Sequence, residues 1–411
     1  MKTPARKQMK AVMYGAGNIG RGFIGALMSQ SGYEVCFVDV DRELVDRLNQ
    51  ARAYTLRVIG NEGYKDTLIT NVSAIDGRDG EAVAQAISSC DLMATAVGAR
   101  ILPRVAPLIA GGLKLRFEQK KSPLSIIICE NLMNADKVLE GLLLEQLDGE
   151  EQEMFHHSVG LVEASIGRMV PVQTDGMRLG DPLRVCVEGY GFLPVDRDAF
   201  KGEIPKMEGL VPYSPFDFYL RRKLYLHNMG HAGCAYLGLY AGKTYIWEAI
   251  AEENIELLTQ GAMLESIAAL SAKYGAPFKA LWDHAADLLY RFTNRALGDS
   301  CARVGGDIRR KLAVEDRLIG AARLCLSQGI KPVYIALNAA AALCRFLLEE
   351  GREQTPESAA KALEELSGLG QGDELAGMIL HAYPLFARGA SLAELRAYAK
   401  EESHRLIGPV A

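Results

Sequence analysis

The stretch KLYLHNMGH, residues 223–231, places a lysine, an asparagine and two histidines within nine positions, flanked by aromatic and aliphatic residues. On an α-helix turning about 100° per residue, His227, His231 and Asn228 lie roughly 40°, 80° and 140° round from Lys223, so the four share less than half the circumference. They can converge on one cleft. A zinc site of the H-E-x-x-H type would need a glutamate after the first histidine and a third ligand, but position 228 is Asn and no second His or Cys cluster exists, so no metal is expected. Oxidation of an alcohol suits these residues better, because it needs a base for the hydroxyl proton and stabilisation of the partial alkoxide. Lys223 can be that base if burial and neighbouring cations such as Arg221 and Arg222 lower its pKa. Asn228 can donate to the developing charge, and a histidine such as His231 can orient the reacting oxygen. The competing reading is an exposed lysine and histidines of an amphipathic helix. Gly230, inside this stretch, marks either close packing or a local break.

A second set lies near the N-terminus. GAGNIG comprises Gly15, Ala16, Gly17, Asn18, Ile19 and Gly20, follows the β-rich run KAVMYG and opens a helical run. That is the setting a dinucleotide fold requires: the tight turn and the close approach to a pyrophosphate both exclude a Cβ, and the helix N-terminus faces the phosphates. The next strand, 33–40, contains Asp39, whose carboxylate can accept ribose hydroxyls and repels a 2′-phosphate; with Asp41 close by, NAD is favoured over NADP. FAD on the same fold and a plain strand-helix turn are the alternatives. Thr95 and Val97, in TAVG at the end of a further strand, are placed on the cofactor cleft, against the reading of a plain strand end.

These residues need elements to hold them. Strand runs at 10–15, 33–40, 91–98 and 125–130 alternate with helical runs at 18–32, 80–89 and 100–117, which predicts an α/β fold with a Rossmann-type doubly wound sheet. Residues 54–72 read as a hairpin around Gly60-Asn61-Glu62-Gly63. From about residue 200 the pattern turns to long 3.6-period segments ending at glycine. The expected organisation is an NAD-binding domain over 1–200, with a connecting β segment at 150–200, and a predominantly α-helical substrate and catalytic domain over 201–411.

The composition of the 411 residues, 49% hydrophobic and 24% charged with net charge -5, is that of a globular protein with no basic surface for nucleic acid. Eight scattered cysteines without a Cys-x-x-Cys pair read as reduced, mostly buried thiols, which points to the cytoplasm. The apolar stretch 333–348 contains Asn338 and Arg345 and is too short to span a bilayer, so no membrane association is expected.

MKAVMYGAGNIGRGFIG, TAVG, SPLSIIICENLMNA, RRKLYLHNMGH and RRKLAVEDRLIG, in this order, resemble the polyol-specific long-chain dehydrogenase family, from about residue 9 to beyond residue 330. The eight residues before Met9 read as an extension. The resemblance carries the family's Lys-x4-Asn-x2-His signature onto Lys223, Asn228 and His231: general base, one half of an oxyanion-stabilising amide pair, and substrate-orienting residue. It places the other amide on Asn131, for which a helix N-cap is the competing role. It puts cationic substrate-binding residues in CARVGGDIRRKL, where Arg303 and Lys311 match best and Arg310 stands beside them; a phosphate dianion would justify several cations. Two departures are His227, where relatives commonly carry an aliphatic residue, and Gly167, where an aspartate is usual.

The activity this implies is reversible, zinc-independent, NAD-dependent oxidation of D-mannitol 1-phosphate to D-fructose 6-phosphate by a monomer or small homo-oligomer. A dehydrogenase of an unphosphorylated polyol or sugar acid is the alternative within enzymes, and a catalytically inactive NAD-binding sensor is the alternative outside them.

Overall fold

The computed structural model describes residues 8–370 and 372–407; the extension before Met9 lies outside them except for Gln8. The chain forms two compact units, with the boundary between Asp217 and Phe218.

The first unit is built on six strands: β1 (Lys10–Tyr14), β2 (Glu34–Asp39), β3 (Val72–Asp76), β4 (Leu92–Thr95), β5 (Leu124–Ile128) and β6 (Val159–Glu163). Their order is β3-β2-β1-β4-β5-β6, and every neighbouring pair is parallel. Both faces are covered. Ala11, Met13, Val35 and Phe37 pack with Phe23 and Leu27 on one side, while Val12, Tyr14 and Val38 pack with Ile87, Ile109 and Leu139 on the other. Burial on two faces explains why these strands are almost continuously apolar. The strand order reverses between β1 and β4, which makes their carboxyl ends the ligand-binding position of such a sheet.

Three details differ from the expectation. β3, with the sequence VSAID, is a separate strand where the sequence shows only the hairpin ending at Val72; Asn71, at φ 55°, turns the chain between them. β4 ends at Thr95, so Val97 and Gly98 belong to the loop beyond it. The helix expected from residue 18 opens with a π turn, Gly20–Ile24, before the α-helix Gly25–Gln30. The hairpin itself, Tyr54–Gly60 with Gly63–Ile69, is antiparallel and joins Val185–Val187 in a separate small sheet. The rest of the 150–200 segment supplies β6 and the strand Leu193–Asp196, which pairs with Leu210–Tyr213.

The second unit is helical. Its long helices include Met229–Tyr240, Glu253–Tyr274, Phe278–Phe292 and Val333–Glu349. The stretch 217–240 is not one regular helix: an α-helical turn at Asp217–Arg222 widens to a π segment at Lys223–Asn228 before α spacing resumes at Met229. Gly230 marks close packing, since a Cβ there would sit 3.0 Å from Met263, and a Cβ on Gly233 would sit 2.5 Å from the Asn338 amide nitrogen. No described helix is long and apolar enough to cross a membrane.

The helix Val333–Glu349 begins after Pro332, which has no side-chain acceptor for its first N–H groups. Glu265, from the helix Glu253–Tyr274, supplies it: Oε1 accepts from Tyr334 N–H at 2.9 Å and Oε2 from Ile335 N–H at 3.0 Å. Glu265→Ala therefore lowers the unfolding free energy by about 1–3 kcal/mol, the cost of leaving buried donors unpaired. The expected reading is a lower urea midpoint at unchanged slope; an unchanged midpoint would mean that the helix end needs no cap.

Candidate active site

The glycine loop after β1 divides its three glycines between two causes. Gly15 has φ +98°, and a Cβ on it would lie 2.6 Å from the Ala96 carbonyl oxygen; a Cβ on Gly20 would lie 1.9 Å from that of Gly15. The fold itself excludes side chains at both. At exposed Gly17 a Cβ would meet nothing within 4 Å, so the protein leaves that space open at the position where a pyrophosphate approaches the backbone. The loop thus fits a dinucleotide.

Buried Ala16 donates its N–H to Asp39 Oδ2 at 2.7 Å, and Asp39 Oδ1 accepts from Asp41 N–H at 3.0 Å. Each carboxylate oxygen keeps a further lone pair, so Asp39 retains capacity for a ribose hydroxyl. Asp41 has a different task, capping the helix Arg42–Ala51 through Leu44 N–H at 3.1 Å. Thr95 lies opposite Tyr14 in the sheet, and both hydroxyls are buried with no hydrogen-bond partner among the described residues. Burial, helped by Asp39, pushes the Tyr14 phenol up to about 12, so it stays protonated and able to donate. Val97 borders the turn: its Cγ1 would be 3.3 Å from a Cβ on Gly15. Asn18 is exposed and Ile19 half-buried at the mouth of the loop.

Sequence reasoning passed over Glu130. It is 6% exposed, and its two oxygens accept from Val97 N–H at 3.0 Å and Gly98 N–H at 2.8 Å, fixing the loop after β4 to the end of β5. The available signal was an acid set directly behind the apolar run IIIC. Asn131 follows it, exposed. The N-cap role does not fall to Asn131, because the next helix starts at Ala135 with Asn134 as its cap residue, and Glu163 Oε1 accepts the Ala135 N–H at 2.8 Å.

In the second unit, Lys223 and Asn228 are the first and last residues of the π segment. A π turn closes i onto i+5 rather than i+4, so two residues five apart, about 140° from each other on an α-helix, come towards alignment along the axis. Lys223 and Asn228 are both half-buried, whereas His227 is buried. Burial first, then Arg291, His231, His284 and Lys223, hold the His227 imidazole well below its usual pKa, so it is a neutral group beside the site.

His231 stacks on Phe292, with ring centroids 4.8 Å apart and 15° between planes. Its Nε2 is 3.2 Å from Asp299 Oδ2, a close charge contact that is not aligned as a hydrogen bond. Arg303 reaches the same carboxylate through Nε at 2.9 Å and through Nη2. Burial pushes the Asp299 pKa up, but His231 and Arg303 outweigh it and the carboxyl is held below its usual range. Asp299, which no motif singled out, thus joins His231 to Arg303.

The other expected cations differ from one another. Arg310 pairs with Asp307 at 2.6 Å and with Asp316 at 3.7 Å. Lys311 is 5% exposed and donates to the Gly306 carbonyl; burial, then Arg317 and Arg310, bring its pKa down to about 8. At Gly167, where the family's aspartate is usual, a Cβ would be 2.9 Å from the Tyr190 ring, so an acid there requires Tyr190 to move. Among the described residues no three His, Cys, Asp or Glu side chains gather as a metal site.

Residues 9–209 match the mannitol dehydrogenase Rossmann domain, and residues 216–383 match the mannitol dehydrogenase C-terminal domain. The chain belongs to the mannitol dehydrogenase family. It is accordingly an oxidoreductase of a family acting on CH–OH groups. A mannitol-1-phosphate 5-dehydrogenase from Brevibacillus brevis is 39% identical over 335 residues, covering 82% of this chain and 86% of that protein. In fold the chain is similar to the Pseudomonas fluorescens mannitol 2-dehydrogenase, solved as a ternary complex with NAD and D-mannitol (TM-score 0.77, 17% identity, 96% of this chain and 95% of that one). It is also similar to a substrate-free D-sorbitol dehydrogenase (TM-score 0.75, 14% identity, 95% and 94% covered).

The glycine loop of this chain separates folding from binding. Gly17→Ala should leave the melting temperature unchanged yet weaken NADH binding by about 1–3 kcal/mol, the cost of overpacking one methyl group, whereas Gly20→Ala should lower both. Fluorescence titration with NADH and a thermal melt check this; equal binding by Gly17→Ala and the parent would remove the ligand from the explanation of Gly17.

Proposed function

We propose that the protein catalyses the NAD-dependent, reversible, zinc-independent oxidation of D-mannitol 1-phosphate to D-fructose 6-phosphate. The observation that carries this reading is the π segment that starts at Lys223 and ends at Asn228, one turn before His231, in a chain 39% identical to a mannitol-1-phosphate 5-dehydrogenase. Gly15 to Gly20, Asp39, Thr95 and Val97 hold the dinucleotide, in the 1–200 region read as the cofactor domain. Held there, NAD would supply the hydride acceptor for oxidation and, as NADH, the hydride donor for reduction. Lys223 Nζ accepts the hydroxyl proton in oxidation and gives it back in reduction. Asn228 and Asn131 donate their amides to the oxygen as negative charge develops on it, and His231, steadied by Phe292 and Asp299, orients that oxygen.

Arg303, Arg310 and Lys311 supply the positive charge for the phosphate. The carboxylates already held by Arg303 and Arg310 favour the second reading, in which an unphosphorylated polyol or a sugar acid is the substrate. An inactive NAD-binding sensor would bind NADH and turn over no polyol. The expected setting is the cytoplasm, as a monomer or small homo-oligomer with no nucleic-acid or membrane partner.

The test is NADH consumption with fructose 6-phosphate, fructose and fructuronate side by side, EDTA present throughout. Rapid turnover of fructose 6-phosphate alone supports the proposal; turnover of another substrate alone moves it to the second reading, and NADH binding with no turnover supports the sensor. The phosphate role adds a pH signature. Lys311 is charged below about 8 and neutral above it, so the KM for fructose 6-phosphate should rise as pH passes that value; a flat KM would remove Lys311 from phosphate binding.

A further inference from the structure

Both functional elements contain a π turn, and in both a hydroxyl from another element completes it. At the first, Gly25 N–H bonds the Gly20 carbonyl, an i→i+5 contact. On α spacing that N–H would belong to Arg21. The Arg21 carbonyl instead accepts the Tyr54 hydroxyl at 2.6 Å. Counting N–H groups through any such turn leaves one carbonyl unclaimed where α spacing resumes, and a buried carbonyl without a partner costs about as much as a lost hydrogen bond.

The segment Lys223–Asn228 closes with Met229 N–H on the Leu226 carbonyl, and here too a hydroxyl from another element reaches a carbonyl inside it. Tyr225, 2% exposed, offers its carbonyl to Ser266 Oγ at 2.7 Å. Ser266 is 1% exposed on the helix Glu253–Tyr274. The Tyr225 side chain is held at its other end, where its hydroxyl donates to the Glu315 carbonyl at 3.2 Å, and a Cβ on Gly320 would sit 2.7 Å from that hydroxyl. Tyr225 is therefore fixed through both backbone and ring in the middle of the segment whose ends are Lys223 and Asn228.

We propose that Ser266 is a positioning residue for catalysis: its hydroxyl ties the Tyr225 carbonyl, in the middle of the π segment, to the neighbouring helix and so keeps Lys223 and Asn228 in line. Without it, the backbone in the middle of the segment loses its tie to the helix Glu253–Tyr274, and the alignment of Lys223 with Asn228 loosens. Ser266 itself touches no substrate and acts through Tyr225. The inference rests on the proposed dehydrogenase reading for its kinetic consequence, but not for its structural one.

The experiment compares the full-length protein with Ser266→Ala and Ser266→Thr by hydrogen exchange, NADH fluorescence and steady-state kinetics on fructose 6-phosphate. For Ser266→Ala, exchange should accelerate at the amides of 223–230 and stay unchanged elsewhere. NADH affinity and KM should hold, and kcat should fall by about 10²-fold, the cost of an ångström-scale misplacement. Ser266→Thr, which restores the hydroxyl, should recover most of kcat. Unaltered local exchange in Ser266→Ala overturns the proposal, as does exchange that rises throughout the second unit, which would mean general destabilisation. Should the parent turn over no polyol while Ser266→Ala still loosens 223–230 alone, the dehydrogenase reading fails and the pinning by Ser266 stands.

Discussion

A helix that widens by one residue for a single turn leaves one carbonyl without an N–H, and a buried carbonyl must find another donor. The glycine loop in the first unit and the Lys223–Asn228 stretch in the second each adjoin or contain such a turn. In the first unit the widened turn follows the glycine loop at once, and Tyr54 answers its free carbonyl. Arg21, in that turn, donates back to the Ala16 carbonyl at 2.7 Å and to the Leu183 carbonyl at 2.6 Å. In the second unit the widened turn carries the lysine and asparagine, and Ser266 answers it. The donors come from outside the helix each time, so the local geometry of the site depends on tertiary packing.

The parallel sheet sets up the rest of the first site. Strand order reverses between β1 and β4, their carboxyl ends lie side by side, and Glu130 ties the loop after β4 to the end of β5. Near it, the buried Tyr14 and Thr95 hydroxyls have no hydrogen-bond partner among the described residues, and the space at Gly17 is open. In the second unit Asp299 has the corresponding role, holding His231 and Arg303 on one carboxylate.

What was legible in the sequence was whatever leaves a periodic or compositional mark. The apolar runs of β1, β2, β4 and β5 and the glycine fingerprint gave the α/β fold, because burial on two faces demands continuous apolar strands. β3 escaped notice since five residues behind a hairpin carry too short a pattern. The types and spacing at Lys223, Asn228 and His231 could be read, but the π turn could not: the hydroxyl that bonds it comes from a helix some forty residues later, and no local pattern encodes Ser266. Glu130 and Asp299 were missed for a related reason, as each is a single acid whose partners are distant in sequence or recognisable only once the helices are packed. Arg303 and Arg310 were visible as cations, while the carboxylates they hold were not.

The most direct test of the account is the Lys223→Ala variant, measured for NADH binding by fluorescence and for turnover of fructose 6-phosphate. The account predicts unchanged NADH affinity with turnover lower by at least about 10²–10⁴-fold, the contribution of a positioned base. Near-normal turnover in that variant would take Lys223 out of the mechanism and contradict the account.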